Sequence, residues 1–261
     1  MKKNVRVLAM LAFVMCGCVS TTTNQQGTPV ARPSNDSGSA RERARIHTEL
    51  GALYYSQARM GVAIEELKVA IGADPDYGSA YNVLGLVYME LKDNDLARQN
   101  FERALRLTPD DSDVNNNFGW FLCQTGSPRD SIQYFLNAIR NSLYKTPQKA
   151  YYNAGLCAVR MGDLAQAEDY FQRALRIDPT MPSALMSLAQ LYYRRGNFAE
   201  SKSLISRFNK AAEPTAESLW LALRVERKLG DRVAEASLAA QLRRNFSPSR
   251  EYQDFLKGQF E

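Results

Sequence analysis

Apolar residues recur along most of this chain at helical spacing, and the pattern they make is itself repeated. Between Gly78 and Asp111, Tyr81, Leu84, Gly85 and Tyr88 fall on one face of a predicted first helix. Ala97, Phe101 and Ala104, spaced four and three apart, fall on one face of a second. Gly85 has no side chain, so the second helix can approach closely there and pack a small-large-small ridge against the first. Pro109 ends the pair. One helical hairpin cannot bury such a face alone, so further copies must stack on it.

Those copies are found by following the glycine of the first helix. Gly51, Gly85 and Gly119 are each 34 residues apart, Gly155 follows 36 later, and Ala189 takes the place another 34 on. The first copy carries Leu50, Tyr54, Ala63, Leu67, Ala70 and Pro75. The third keeps Phe118, Phe135 and Ala138, but Ser131 replaces the first small residue and Leu143 the closing proline. Its two extra residues fall around Leu143 to Pro147, where a loop absorbs them. The fourth returns to form with Tyr151, Ala167, Phe171, Ala174 and Pro179. The fifth holds Leu185, Leu188 and Tyr192 but places Ser201, Ile205 and Phe208 on its second helix. A sixth, weaker pair runs from Thr215 to Phe246. Gly126, Gly162, Gly196 and Gly230 stand where the first helix must reverse into the second, a position suited to left-handed backbone.

This set of residues resembles the tetratricopeptide (TPR) repeat. The resemblance implies an all-α fold, a right-handed TPR superhelix (solenoid) of about six helix-turn-helix repeats. In such a superhelix the first helix of each pair, helix A, lines the concave side. The organisation expected is a signal peptide over residues 1–17, a lipidated cysteine and flexible tether over 18–40, the solenoid over 41–248, and a capping segment, including a short helix, over 249–261.

The N-terminus sets the expected compartment. Lys2 and Lys3 precede an apolar run from Val7 to Met15 that is too short to span a bilayer, and Gly17-Cys18 follow. The arrangement resembles a bacterial lipoprotein signal with Cys18 as the lipidated residue, an ordinary cleaved signal peptide being the alternative. Bulky Met15 makes Cys16 a poorer candidate. Val19, with no Asp after the lipidated cysteine, implies sorting to the outer membrane, with the protein lipid-anchored on its periplasmic face. From Val19 to Ala40 the chain is rich in Ser, Thr, Asn, Gln, Gly and Pro, reads as a tether, and would reach about 70 Å when extended.

Charge and chemistry narrow the function by exclusion. Lys2, Lys3 and Arg6 carry three charges of the formal +5, leaving about +2 on the rest, which gives nucleic acid little to bind. The one histidine, His47, reads as a packing residue at the start of the array. No Cys/His cluster has metal spacing, no glycine-rich loop has phosphate-binding form, and no Ser/His/Asp set can be drawn, so neither an enzyme nor a cofactor is expected. Asp74, Asp110 and Asp178, beside the closing prolines, read as turn formers.

Cys123 and Cys157 lie on A helices of adjacent repeats. An exported protein favours a disulfide between them, with two buried free thiols as the alternative. The positions three before, and one, four and five after, the helix-A Leu-Gly pair should project into the groove. They give Tyr55, Asn82, Leu86, Met89, Asn116, Trp120, Tyr152 and Leu156, some of which would also pack between repeats. Rings, thioethers and amides together suit an extended or helical peptide.

The blocks Asn116-Asn117-Phe118-Gly119-Trp120-Phe121-Leu122-Cys123 and Asn153-Ala154-Gly155-Leu156-Cys157, behind a lipoprotein signal, resemble the type IV pilus biogenesis lipoproteins of the PilF/PilW family. Phe118 stands where that family has Tyr. The resemblance covers roughly Arg43 to Phe246. It implies a pilotin: a monomeric, non-enzymatic outer-membrane lipoprotein that binds the type IV pilus secretin subunit and promotes its assembly. A TPR scaffold in another cell-envelope complex is the competing expectation.

Overall fold

The computed structural model describes residues 36–260. The signal peptide, Cys18 and all but the last residues of the expected tether lie outside the described residues. Within them the chain forms six antiparallel helix pairs and a terminal helix. The pairs are α1 (Asp36–Ser56) with α2 (Met60–Ala73), α3 (Gly78–Glu90) with α4 (Asn94–Leu107), and α5 (Ser112–Gln124) with α6 (Pro128–Arg140). They continue as α7 (Pro147–Met161) with α8 (Leu164–Ile177), α9 (Pro182–Arg194) with α10 (Phe198–Ala211), and α11 (Ala216–Leu229) with α12 (Arg232–Phe246). Helix α13 (Arg250–Leu256) packs on α11 and α12. No strand occurs among the described residues, and no helix among them is long and apolar enough to cross a membrane.

One expected boundary moves. Helix α1 begins at Asp36, five residues inside the stretch assigned to the tether. The run Ala40-Arg41-Glu42-Arg43-Ala44 is made of strong helix formers, and adding residues to an existing helix costs far less than starting one.

The repeated ridge packs as its spacing requires. Ala97, Phe101 and Ala104 are fully buried, as are Ala63, Leu67 and Ala70 before them and Ala167, Phe171 and Ala174 after. The glycines have a steric reason. A Cβ on Gly85 would lie 2.8 Å from the Phe101 ring, and one on Gly155 would lie 2.5 Å from that of Phe171. Where serine replaces alanine its hydroxyl finds a carbonyl: Ser131 Oγ donates to Pro128 at 2.6 Å, and buried Ser201 Oγ to Ala189 at 2.8 Å.

The turns show a regularity the glycines only half reveal. Gly126, Gly162, Gly196 and Gly230 have φ of +101°, +78°, +80° and +83°. The same turn position in the first two repeats is held by Ala58 at φ 58° and Lys92 at φ 64°. All six turns therefore reverse through left-handed backbone, two of them without glycine. The expected aspartates also find their places, with one shift. Asp74 and Asp178 end α2 and α8 and accept hydrogen bonds from Asp76 N and Thr180 N, whereas Asp111 rather than Asp110 caps α5, accepting from Asp113 N and Val114 N.

A helices touch A helices along the stack, α1 with α3, α3 with α5, α5 with α7, and α9 with α11. No B helix lies comparably close to the next B helix among the described residues. The A helices therefore stand on the inner side of the curve.

Candidate functional site

Six of the eight predicted groove residues are half-buried, each with one edge packed against a core cluster. Tyr55 leans on the first cluster, around Leu67 and Leu84. Leu86 and Met89 lean on the cluster of Phe101, Phe118 and Phe121. Trp120, Tyr152 and Leu156 lean on the large central one, where the Tyr152 ring lies 5.8 Å from that of Phe171. Burial, reinforced by the Glu90 carboxylate, pushes the Tyr55 phenol up.

The two asparagines are more deeply set than a groove-lining role implies. Asn82 and Asn116 are each only 7% exposed, and their amides bond to asparagines of the same helix or the next repeat. Asn153 Nδ2 donates to Asn116 Oδ1 at 3.0 Å, Asn116 Nδ2 to Asn117 Oδ1 at 3.3 Å, and Asn117 Nδ2 to Asn82 Oδ1 at 3.2 Å. The result is a ladder across α7, α5 and α3, in which the donor of each bond between repeats lies on the more C-terminal repeat. Aligned amides in a sheltered setting polarise one another. Each side-chain amide offers two N–H donors and two acceptor lone pairs. The two inner rungs, Asn116 and Asn117, use one of each.

Asn117 and Asn153 were absent from the groove positions read off the sequence. They stand two residues before the helix-A glycine, not three. Each link between repeats joins a position three before the glycine to one two before it in the next repeat, which only the rotation between stacked repeats brings about.

The third and fourth repeats are also joined covalently. Cys123 and Cys157 form a disulfide with Cα atoms 5.9 Å apart, closing a separation of 34 residues. Arg160 Nη1 donates to the Cys123 carbonyl at 2.6 Å beside it. His47 is half-buried between α1 and α2, its Nδ1 2.7 Å from Glu66 Oε2, so it links the first pair by a polar contact as well as by packing. No group of three His, Cys, Asp or Glu residues is placed to hold a metal among the described residues.

Comparison with known proteins agrees with this geometry. The tetratricopeptide repeat family matches residues 48–112 and 118–182, and again 158–224. The type IV pilus assembly protein PilF of Pseudomonas aeruginosa is 29% identical over 247 residues, spanning 94% of this chain and 95% of that protein. The crystal structure of PilW, a widely conserved type IV pilus biogenesis factor, superposes with a TM-score of 0.76 at 32% identity, covering 82% of this chain and 98% of that one. A structure of Pseudomonas aeruginosa PilF gives 0.77 at 28% identity, covering 84% and 99%. With its repeats, its glycine-phenylalanine packing and its full-length likeness to these proteins, the chain belongs to the tetratricopeptide repeat family and, within it, to the type IV pilus biogenesis proteins.

Proposed function

We propose that this protein is a pilotin: an outer-membrane lipoprotein, anchored through Cys18 on the periplasmic face, that captures the type IV pilus secretin subunit and promotes its multimerisation. The observation that carries the reading is the asparagine ladder on the inner side of α3, α5 and α7, with Leu86, Met89, Trp120 and Leu156 on the same A helices. Partly free amides satisfy the backbone of a bound segment while the apolar edges bury its side chains. Lipid and tether raise the effective concentration of the groove near the membrane, where an unassembled subunit has to be met. The reaction is binding alone, with no bond made or broken.

Deleting the gene and resolving the secretin by mild electrophoresis tests the proposal. Loss of multimers, or their appearance in the wrong membrane fraction, is expected. Unchanged multimers in correctly fractionated outer membrane overturn it. Cys18→Ala should leave the repeats folded but release the protein from the membrane, and an unaltered distribution would remove the anchor.

A further inference from the structure

The register that places the groove continues beyond the fourth repeat. Counting 34 from Ala189 reaches Leu223, which is fully buried. The concave positions of the last repeat are then Trp220, Arg224 and Arg227, and the corresponding position four after Ala189 is Tyr193. Tyr193, Arg224 and Arg227, with Lys228, Arg232 and the segment 258–260, line a cavity of about 600 Å³.

Its polar side is cationic. Arg227 and Arg232 share the Glu235 carboxylate, each at 2.8 Å. Arg224 lies over the Tyr193 ring at 4.7 Å and near that of Trp220 at 5.5 Å, and its buried Nε has no hydrogen-bond partner among the described residues. Burial pushes the Arg224 guanidinium down, against the opposing influence of Tyr193 and Glu217. Among the described residues, four cations thus face the cavity with one carboxylate, that of Glu235, in direct contact. A desolvated arginine fork of this kind is best satisfied by a carboxylate.

Its aromatic side is already filled by the chain itself. The Phe260 ring lies 5.4 Å from that of Trp220, the Arg227 guanidinium stands 3.9 Å from its centroid, and the Tyr193 hydroxyl donates to the Phe260 carbonyl at 3.4 Å. A ring and a backbone carbonyl are what a bound peptide would present to concave TPR positions.

We propose that the concave end of the last two repeats is a peptide subsite for an aromatic side chain beside a carboxylate, and that Phe260 holds its aromatic half until a partner segment displaces it. The subsite does not depend on the partner being the secretin, and it is separate from the asparagine ladder. Self-occupancy weakens the apparent affinity by the fraction of molecules that are open.

The test titrates the full chain, by fluorescence anisotropy, with a dye-labelled peptide Gly-Gln-Phe-Glu, the sequence of residues 258–261, and with its neutral twin ending in Phe-Gln-amide. Phe260→Ala should bind the acidic peptide about tenfold more tightly than the unaltered protein. Adding Arg224→Gln should cancel that gain, and the neutral twin should bind Phe260→Ala about tenfold more weakly. Equal binding of the two peptides, or no gain from Phe260→Ala, overturns the proposal. So does displacement of the peptide by an equal concentration of inorganic phosphate, which would mark a simple anion site. A second readout needs no change at Phe260: in a Trp120→Phe background, saturating acidic peptide should shift the emission of Trp220, and a constant emission overturns the displacement.

Discussion

Asn153 and Asn116, on A helices of successive repeats, are hydrogen-bonded side chain to side chain at 3.0 Å, and Asn116 passes the bond on to Asn117. Removing the shared member breaks two links at once and leaves half-buried amide atoms of Asn153 and Asn117 unpaired. Asn116→Ala should lower the unfolding free energy by about 1–3 kcal/mol and weaken the proposed capture of the secretin by more than Trp120→Phe does. Urea denaturation and pull-down of the secretin check the two effects, and capture as strong as that of the unaltered protein would place the contact elsewhere.

Gly155→Ala should be costly for reasons of space alone. The new Cβ would meet the Phe171 ring at 2.5 Å, with both helices already packed, so a loss of about 1–3 kcal/mol is expected. Gly155→Ala combined with Phe171→Leu should cost less than the sum of the two single changes, measured as a double-mutant cycle.

The non-glycine turns give the opposite sign. Lys92 holds φ at 64°, where an L-residue pays about 1–2 kcal/mol, part of which glycine returns through its freer unfolded chain. Lys92→Gly should therefore stabilise the protein by about 0.5–1 kcal/mol, visible as a raised urea midpoint. The same change at Ala58 should act alike, because it holds the same turn at φ 58°.

Reduction of the Cys123–Cys157 bond should destabilise the array. Releasing a loop with a sequence separation of 34 residues restores unfolded-state entropy worth about 3–4 kcal/mol in the chain-entropy treatment. Denaturation with and without reductant measures the loss. Alkylation of the unfolded, unreduced protein should leave these two cysteines unlabelled.

Glu235 predicts a pH dependence. Burial opposes its ionisation, but hydrogen bonds from Arg227 and Arg232 outweigh that and hold its carboxyl below the usual range. A carboxyl whose folded pKa is depressed contributes stability above its unfolded pKa and loses it as pH falls through the folded value. Glu235→Gln should consequently be less stable than the unaltered protein at pH 7. The difference should close progressively below the ordinary value of 4.5, as followed by denaturation across pH.

The packing of this fold was legible because its rule is local. Gly85 and Phe101, or Gly155 and Phe171, are 16 residues apart within one hairpin, and the period repeats them. The left-handed turns at Ala58 and Lys92 were not legible, since neither residue advertises positive φ and only the register exposes them. Helix geometry placed Asn82 and Asn116 on the A helices but did not foresee how deeply they are set, whereas Asn117 and Asn153 belong to the ladder through the rotation between repeats. The seat of Phe260 was hidden too. Residues 249–261 read as a cap, and nothing in a lone phenylalanine names Trp220 and Arg227 as its neighbours. The start of α1 was missed because the Ser- and Gly-rich stretch before Ala40 masked good helix formers just behind it.

A stack of repeats that touch only their neighbours behaves mechanically as a spring, yielding a little at every joint. The joint between the third and fourth repeats is distinguished by a covalent bond, the disulfide, which crosses it beside the Asn153–Asn116 bond and the Arg160 contact with the Cys123 carbonyl. Elastic strain imposed on the array must go into the joints on either side. A partner laid along the array would then be expected to meet more compliance toward its ends than at the covalently bonded centre.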